Sequence, residues 1–388
     1  MIQSGKFDSS NMDIKKLGNS VLIFIVKIKI IMKVSILGSG LTSLTLAKML
    51  INQGINVDIF SDQKGIIDNK IQTLGISKSN IDFFNKNILN IQKFIWDINK
   101  IEIFNENFEN DKLLNFHNNN KALFSIIRNF DLYNCLILNL KKSKLIKFKK
   151  KISYENLIKN NNDLVFNCDY NHFITKKFFN KKIVKNYNSF AYVTSFKHEK
   201  LLNNNTASQI FTKNGPLAFL PISQSETSIV YSIKNNENVN FEKLIKKYNV
   251  KYKILRINKF MRFELKSSNL RSYYHKNIIA FGDLLHKIHP LAGQGFNMTL
   301  RDIKKIKELI KFKKAHGLDL DISICSDFEK STRDKNYLFS NGIDFIYEIF
   351  NFENRFNINN LSKSIRYLGK NKMINNFFIK FADNGIVT

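Results

Sequence analysis

Proline, glycine and cysteine are scarce in this chain of 388 residues, which holds 3 Pro, 15 Gly and 3 Cys. Average usage would supply about 19 prolines and about 27 glycines. The cysteines, Cys135, Cys168 and Cys325, are too few and too dispersed for a disulfide framework or a metal site. A reducing compartment is the default for such a chain. Acidic residues are also short, with 32 Asp+Glu against 61 Lys+Arg and a net charge of +29. The apolar run at 21–32, VLIFIVKIKIIM, is brief and broken by Lys27 and Lys29. It falls below the roughly 20 residues of a membrane-crossing helix, and it lacks the small-residue cleavage site of a signal peptide.

What is present is a large apolar fraction, 44% of the chain, enough for a sizeable core. Lysines run along the whole length and gather in stretches such as KKSKLIKFKKK at 141–151. Part of that charge is compositional bias giving a solvated surface. The functional part is attraction to an anionic partner, of which a lipid surface is the better fit. Nucleic acid is set aside, because no zinc knuckle, helix-turn-helix or aromatic RNA-binding signature accompanies the lysines.

Met32 stands directly before KVSILGSG, so residues 1–31 are read as an upstream extension that the natural product need not contain. A short membrane-contacting segment is the alternative for them. From Lys33 the pattern is strand, turn, helix, strand. KVSIL leads into Gly38-Ser39-Gly40, LTSLTLAKMLINQ carries apolar residues at helical spacing up to Gly54, and NVDIF returns as a strand. Such a βαβ start implies a parallel sheet. Triple-Asn runs at 118–120, 160–162 and 203–205 mark loops, and DLVFNCD (163–169) reads as a buried strand. In 187–235, FAYVTSF, LAFLPI and SIVYSI alternate like antiparallel strands. After Lys276, NIIAFGD is again a buried strand, followed by a helix from about Asn297 to Phe312. The segment beyond it is helical and aromatic-rich.

Gly38-Ser39-Gly40-Leu41-Thr42-Ser43 is a modified dinucleotide fingerprint. The first Gly permits the tight turn, the second lets a pyrophosphate approach the backbone, and Ser43 takes the place of the third. Backbone N–H groups and the helix dipole favour the negative charge. The acidic residue expected at the end of the second strand is missing: counting from Gly38 puts Ser61 there, with Asp62 next. The second concentration of special-backbone residues is GDLLHKIHPLAGQGFN, Gly282 to Asn297, holding three glycines and a proline. It places Asp283 at a strand's carboxyl end, where parallel sheets bind ligands. Pro290, Gly293 and Gly295 then precede a helix, whose positive end suits a flat, anionic group such as the N1–C2 carbonyl edge of reduced flavin. A bland Gly-rich helix cap accounts for Gly293 and Gly295 alone but not for Asp283, His286, Pro290, Gln294 and Asn297 at these spacings. His286 and His289 have no carboxylate or Cys partner at ligand spacing, so no metal site is expected. Trp96 reads as core.

The pattern GDxxHxxxPxxGQGxN resembles the second FAD motif of the class A flavin monooxygenases. Within them the chain is similar to the ubiquinone-biosynthesis ring hydroxylases. NGPLAFLPI (214–222) follows TASQIF as that family's Gly-Pro-Leu-Ala segment does, QTLGIS (72–77) carries Gln72 where the family has Arg, and FEKSTRDKN (328–336) matches loosely through Arg333. All three prolines, Pro216, Pro221 and Pro290, fall in these segments. The likeness runs through most of 32–388.

The resemblance implies an α/β fold like that of p-hydroxybenzoate hydroxylase. It would have a discontinuous Rossmann-like FAD-binding domain (32–72, 119–177, 276–312), a mixed or antiparallel-sheet substrate domain (73–118, 178–275) and C-terminal helices (313–388). It implies that FAD is held by Gly38, Gly40, Leu41, Thr42, Ser43, Asp62, Gly282, Asp283, Pro290, Gly293, Gly295, Phe296 and Asn297. Pro221, Pro290, Gly293, Gln294 and Gly295 would serve the reaction. That reaction would be hydroxylation of a polyprenylated phenol with O2 through a flavin C4a-hydroperoxide, on the inner, cytoplasmic face of an anionic membrane, among other quinone-biosynthesis proteins. Two departures bear on the electron donor. Phe130 stands where the family has a flavin-contacting Arg, and NCDYNHFITK keeps only Asp169, with Lys176 as a basic stand-in, of a motif linked to FAD and reduced nicotinamide. NAD(P)H and a ferredoxin-type protein both stay open. So do two other functions: a flavin-linked lipid reductase or dehydrogenase, and a non-catalytic scaffold of a quinone-synthesis complex.

Overall fold

The computed structural model describes residues 33–61, 71–106, 112–117, 121–150, 153, 155, 157, 164–234, 240–290, 293–356, 360–369 and 371–385. The apolar run at 21–32, Asp62, Leu291, Ala292 and the Asn runs at 118–120 and 160–162 lie outside them.

The strand Lys33–Leu37 exists because its apolar side chains are buried on both faces, with Val34, Ile36 and Leu37 fully enclosed. It runs parallel to Asn56–Phe60 on one side and to Leu164–Asn167 on the other. Ile278–Ala280 and Ile146–Lys149 extend the sheet outward, again parallel. The helix Leu41–Asn52 joins the first two strands and buries Leu44, Ala47, Leu50 and Ile51, the spacing read from the sequence. Asp58 lies within the second strand, not at its end. Burial alone would raise its carboxyl, but Lys149 at 2.6 Å and Lys33 at 3.1 Å hold it below its ordinary value.

The expected antiparallel region forms the centre of a larger mixed sheet. Lys182–His198 pairs with Met261–Leu270 and with Glu226–Lys234, which pairs with Gly215–Pro221, which pairs with Thr206–Thr212. Lys100–Asn105 then adds in parallel to Thr206–Thr212. Strand alternation gives this sheet two unlike faces. On the back, Leu217, Phe219, Ile229 and Tyr231 pack with Phe241 and Ile245 of the helix Phe241–Tyr248. On the front, Phe211 meets Ile288, Met298 and Phe350, while Ala207 and Leu220 meet Ile98 and Ile126. A small sheet supplies Ile98 and Ile126: Phe124–Arg128 lies between Thr73–Ser77 and Trp96–Ile98.

The final segment is helical, as expected, in Ile322–Phe356, Asn360–Gly369 and Lys372–Asn384. Its aromatic residues pack helix on helix, as where Phe339 and Phe381 stack with ring centroids 5.1 Å apart. No helix among the described residues is long and apolar enough to cross a membrane.

Two expectations need correction. The helix expected from about Asn297 begins at Gln294 and runs to Ala315, because Gly293 adopts φ +63 and turns the chain into the helix three residues sooner. Pro221 was expected beside a ring-binding cavity. Alternation instead turns it to the face of Leu217 and Phe219, which lies under the helix Phe241–Tyr248 and away from the motif residues.

Candidate active site

The parallel strands bring their carboxyl ends to one edge in the order Ala280, Asn167, Leu37, Phe60. Stepwise backbone bonds tie the residues that follow: Phe281 N–H to Asn167 O at 2.9 Å, Cys168 N–H to Leu37 O at 2.9 Å, and Gly38 N–H to Phe60 O at 2.8 Å. Gly282-Asp283, Cys168-Asp169, Gly38-Ser39 and Ser61 therefore line one edge, the place where open α/β sheets bind ligands.

At the first turn Gly38 takes φ +100, and a Cβ built there would lie 3.4 Å from Asp169 and from Ser43. Gly40 caps the helix Leu41–Asn52, and a Cβ built on it would meet nothing within 4 Å. No side chain caps that helix and no acidic residue sits in its first turn. Its leading N–H groups and positive dipole end face open space beyond Gly40, a cradle for an anion. The ribose-gripping position is occupied differently from the usual pattern: the Ser61 hydroxyl is bonded to that of Ser39 at 2.9 Å.

The second motif meets the first directly. Gly282, at φ +67, leaves room for Thr42, whose side chain a Cβ at 282 would overlap. Asp283 is reached by solvent yet closely surrounded by protein atoms, the combination a cleft produces. That enclosure pushes its carboxyl above the ordinary aspartate range, with His286 and Lys287 opposing. Cys168 lies close by. Burial pushes its thiol up to about 12, with the Ser43 hydroxyl opposing and Asp169 and Asp283 adding. Gly293 caps the helix Gln294–Ala315, which again has no side-chain cap and no acid in its first turn, and a Cβ on Gly295 would meet nothing within 4 Å.

The rest of the motif holds protein to protein. Asn297, expected to bind cofactor, is buried with its amide fully engaged: Nδ2 donates to Gly75 O at 2.9 Å, and Oδ1 accepts from Ser77 N–H at 2.9 Å and from Asn80 Nδ2 at 3.0 Å. It clamps the QTLGIS segment onto the helix start. Gln294 accepts from Arg301 at 3.0 Å, and Phe296 is buried. His286 Nε2 lies 2.5 Å from Asp302 Oδ2, both side chains buried, and Asn336 donates to the other oxygen at 3.0 Å. His289 is enclosed by the rings of Tyr187 and Tyr347. Burial, with Lys185 nearby, pulls its pKa down to about 3. Among the described residues, no group of three or more His, Cys, Asp or Glu could hold a metal ion.

Sequence reasoning missed Asp302 and the Thr42–Gly282 contact. The first had a signal: Met298, Asp302 and Ile306 share one helical stripe, and a carboxylate on a buried stripe requires a buried partner. The second had none, because it depends on the sheet order.

No family model matches the chain. Over 130 residues it is 26% identical to the mitochondrial ubiquinone biosynthesis monooxygenase COQ6 of Schizosaccharomyces pombe, covering 32% of this chain and 26% of that one. Over 152 residues it is 26% identical to the 3-demethoxyubiquinol 3-hydroxylase of Escherichia coli, covering 37% and 39%. The matched segments thus span well under half the length of these curated relatives. Among solved structures, p-nitrophenol 4-monooxygenase PnpA from Pseudomonas putida aligns over 92% of this chain and 100% of its own, with TM-score 0.72 at 11% identity. HpxO of Klebsiella pneumoniae, solved with FAD and uric acid, aligns over 91% and 97% with TM-score 0.69 at 11% identity. The fold is that of the FAD-dependent monooxygenases. In sequence the chain resembles the ubiquinone-biosynthesis hydroxylases within that fold.

Proposed function

We propose that this chain is an FAD-dependent hydroxylase acting on the aromatic ring of a polyprenylated phenol, with O2 as co-substrate. The observation that carries the reading is the contact of Thr42 with Gly282, which sets the uncapped start of the helix Leu41–Asn52 against the turn that carries Asp283; the same motif ends in a second uncapped helix start at Gly293. The residues fit the cofactor. Gly38, Gly40 and the N–H groups from Leu41 to Ser43 would hold the pyrophosphate, Asp283 the ribitol, and Gly293 to Gly295 the carbonyl edge of the flavin ring. Bound FAD would supply oxygen activation and the transfer of one oxygen atom to the ring. The chain's own contribution is positioning and charge. The dipole of the helix Gln294–Ala315 favours negative charge at its start, and the fixed N–H groups need no reorganisation as charge develops there.

The relatives' names carry the substrate class, and the basic surface suits a lipid-tailed phenol drawn from an anionic membrane face. Other quinone-synthesis proteins would be partners there. Electrons would come from NAD(P)H or a ferredoxin-type protein. The experiment is the flavin content of the purified full chain, followed by O2-dependent product formation from a prenylated phenol. Near-stoichiometric FAD and one added oxygen per ring are expected. Folded protein that takes up no added FAD overturns the enzyme reading, and FAD-loaded protein that turns over its substrate equally without O2 is a dehydrogenase instead.

A further inference from the structure

The front face of the large sheet is covered at its corners and uncovered at its centre. At one corner Phe211 and Ile103 pack with Ile288 and Met298, which flank the Pro290–Gly293 segment in the chain. At a second, Ala191 clusters with Tyr187 and Tyr347, the two rings that enclose His289. At a third, Ser228 accepts a hydrogen bond from Thr73 at 3.0 Å. At the fourth, Ala207 and Leu220 meet Ile98 and Ile126.

Between these corners runs a cross-strand row. Val193 is opposite Val230, Val230 opposite Ala218, Ala218 opposite Gln209, and Gln209 opposite Ile103. Such neighbours share one face. Val230, Ala218, Gln209 and Ile103 are only half-buried, although the corners are closed. Solvent therefore reaches a row that lies between the cluster of Ile288 and Met298 at one end and that of Ile98 and Ile126 at the other. The row is apolar except for Gln209, whose amide makes no hydrogen bond to any described residue. Of the serines on the same face, Ser195 donates to Glu226 at 2.8 Å and Ser228 to Thr194 O at 3.4 Å, while Ser232 is buried opposite Ala191 beyond the row.

We propose that Gln209 recognises the ring hydroxyl of the substrate, which lies over Val193, Val230, Ala218 and Ile103. The assignment rests on the hydroxylase reading above and names its specificity-determining residue. An amide suits the task because its oxygen accepts from a phenol and its N–H donates to a phenolate. A site built to hydrogen-bond a hydroxyl discriminates against an analogue lacking it, since the amide is then desolvated without a partner.

The test is calorimetric titration of the FAD-loaded full chain with ortho-prenylphenol and with prenylbenzene, which differs only in lacking the hydroxyl. Wild type should prefer the phenol roughly tenfold, the worth of one such hydrogen bond. Gln209→Met keeps the volume and removes the amide; it should bind both ligands equally and hold prenylbenzene more tightly than wild type does, because no amide is then desolvated without a partner. Gln209→Leu is the second variant if the first does not fold. Bound FAD and equal affinity of wild type for both ligands, or no affinity for either, overturns the assignment while leaving the cofactor reading intact. A preference that persists in the variant overturns it as well. A chain without FAD speaks against the hydroxylase reading instead, and phenol preference then measured on that chain still decides the role of Gln209.

Discussion

Gly282 and Thr42 are in contact across the two motifs. A Cβ built on Gly282 would lie 2.6 Å from Thr42 Cγ2 and 2.8 Å from its Oγ1. The glycine also sits at φ +67, a conformation that side chains rarely adopt. One missing side chain thus lets a turn after the strand Ile278–Ala280 settle onto the first turn of the helix Leu41–Asn52.

Gly282→Ala should therefore destabilise the fold by about 2–4 kcal/mol, combining overpacking with left-handed backbone strain. Thr42→Ala removes both of the nearest atoms. The double variant should recover the overpacking part and keep roughly 1 kcal/mol of backbone cost. Urea unfolding of both single variants and the double variant measures this coupling. Strict additivity would show that the contact carries no weight.

Asn297 is predicted to be a structural clamp before anything else. Asn297→Ala leaves Gly75 O and Ser77 N–H without their partner in a buried place, at about 1–3 kcal/mol for each group. Asn297→Asp keeps the acceptor for Ser77 N–H and loses the donor to Gly75 O, so its loss should be smaller than that of Ala unless the buried charge adds its own cost. Unfolding midpoints of apoprotein decide the matter, because the clamp acts without cofactor. A loss of FAD affinity at unchanged apo stability would reverse the assignment.

His289 should govern part of the acid sensitivity. Its pKa falls to about 3 in the folded chain against about 6.5 unfolded. A group depressed on folding contributes stability above its unfolded value and loses it as pH falls toward the folded one. His289→Gln should accordingly flatten the decline in melting temperature between about pH 6.5 and pH 3, even if lost contact with Tyr187 and Tyr347 lowers stability at neutral pH. An unchanged pH slope would mean that this histidine titrates freely.

How much of this was legible before the structure follows from the range of each interaction. The turn at Gly38, the helix behind it and the strand before Gly282 all depend on local backbone demands and on apolar spacing, so the residues announce them. Asp283 was legible for the same reason, as a carboxylate at a strand's end. Asn297 was legible as a special position but not in its role, because its partners Gly75 and Ser77 belong to a segment remote in the chain. Pro221 misled because its segment matches a familiar pattern, whereas the face it occupies is set by register with Glu226–Lys234. Gln209 carried no signal, since its isolation in an apolar row depends on strands drawn from four parts of the chain.

Asp283 separates binding from stability most sharply. Its carboxyl is raised by enclosure in the cleft, so ionising it opposes folding. Its favourable contribution is complete below the ordinary aspartate value of about 3.9 and is lost as pH rises through the higher folded value. Asp283→Asn has no charge to bury. The apoprotein variant should therefore melt at a higher temperature than wild type at neutral pH, and the gap should close as the pH approaches 4. FAD should behave in the opposite way, because a carboxylate is a stronger acceptor for ribitol hydroxyls than an amide. Its affinity should drop roughly tenfold, the difference between a charge-assisted and a neutral hydrogen bond. Stability gained while binding is lost marks a residue kept for its ligand at the expense of the fold. Paired melting curves and FAD titrations across pH read both quantities. An Asp283→Asn chain that melts lower at neutral pH and still binds FAD as wild type does would return this residue to an ordinary turn cap.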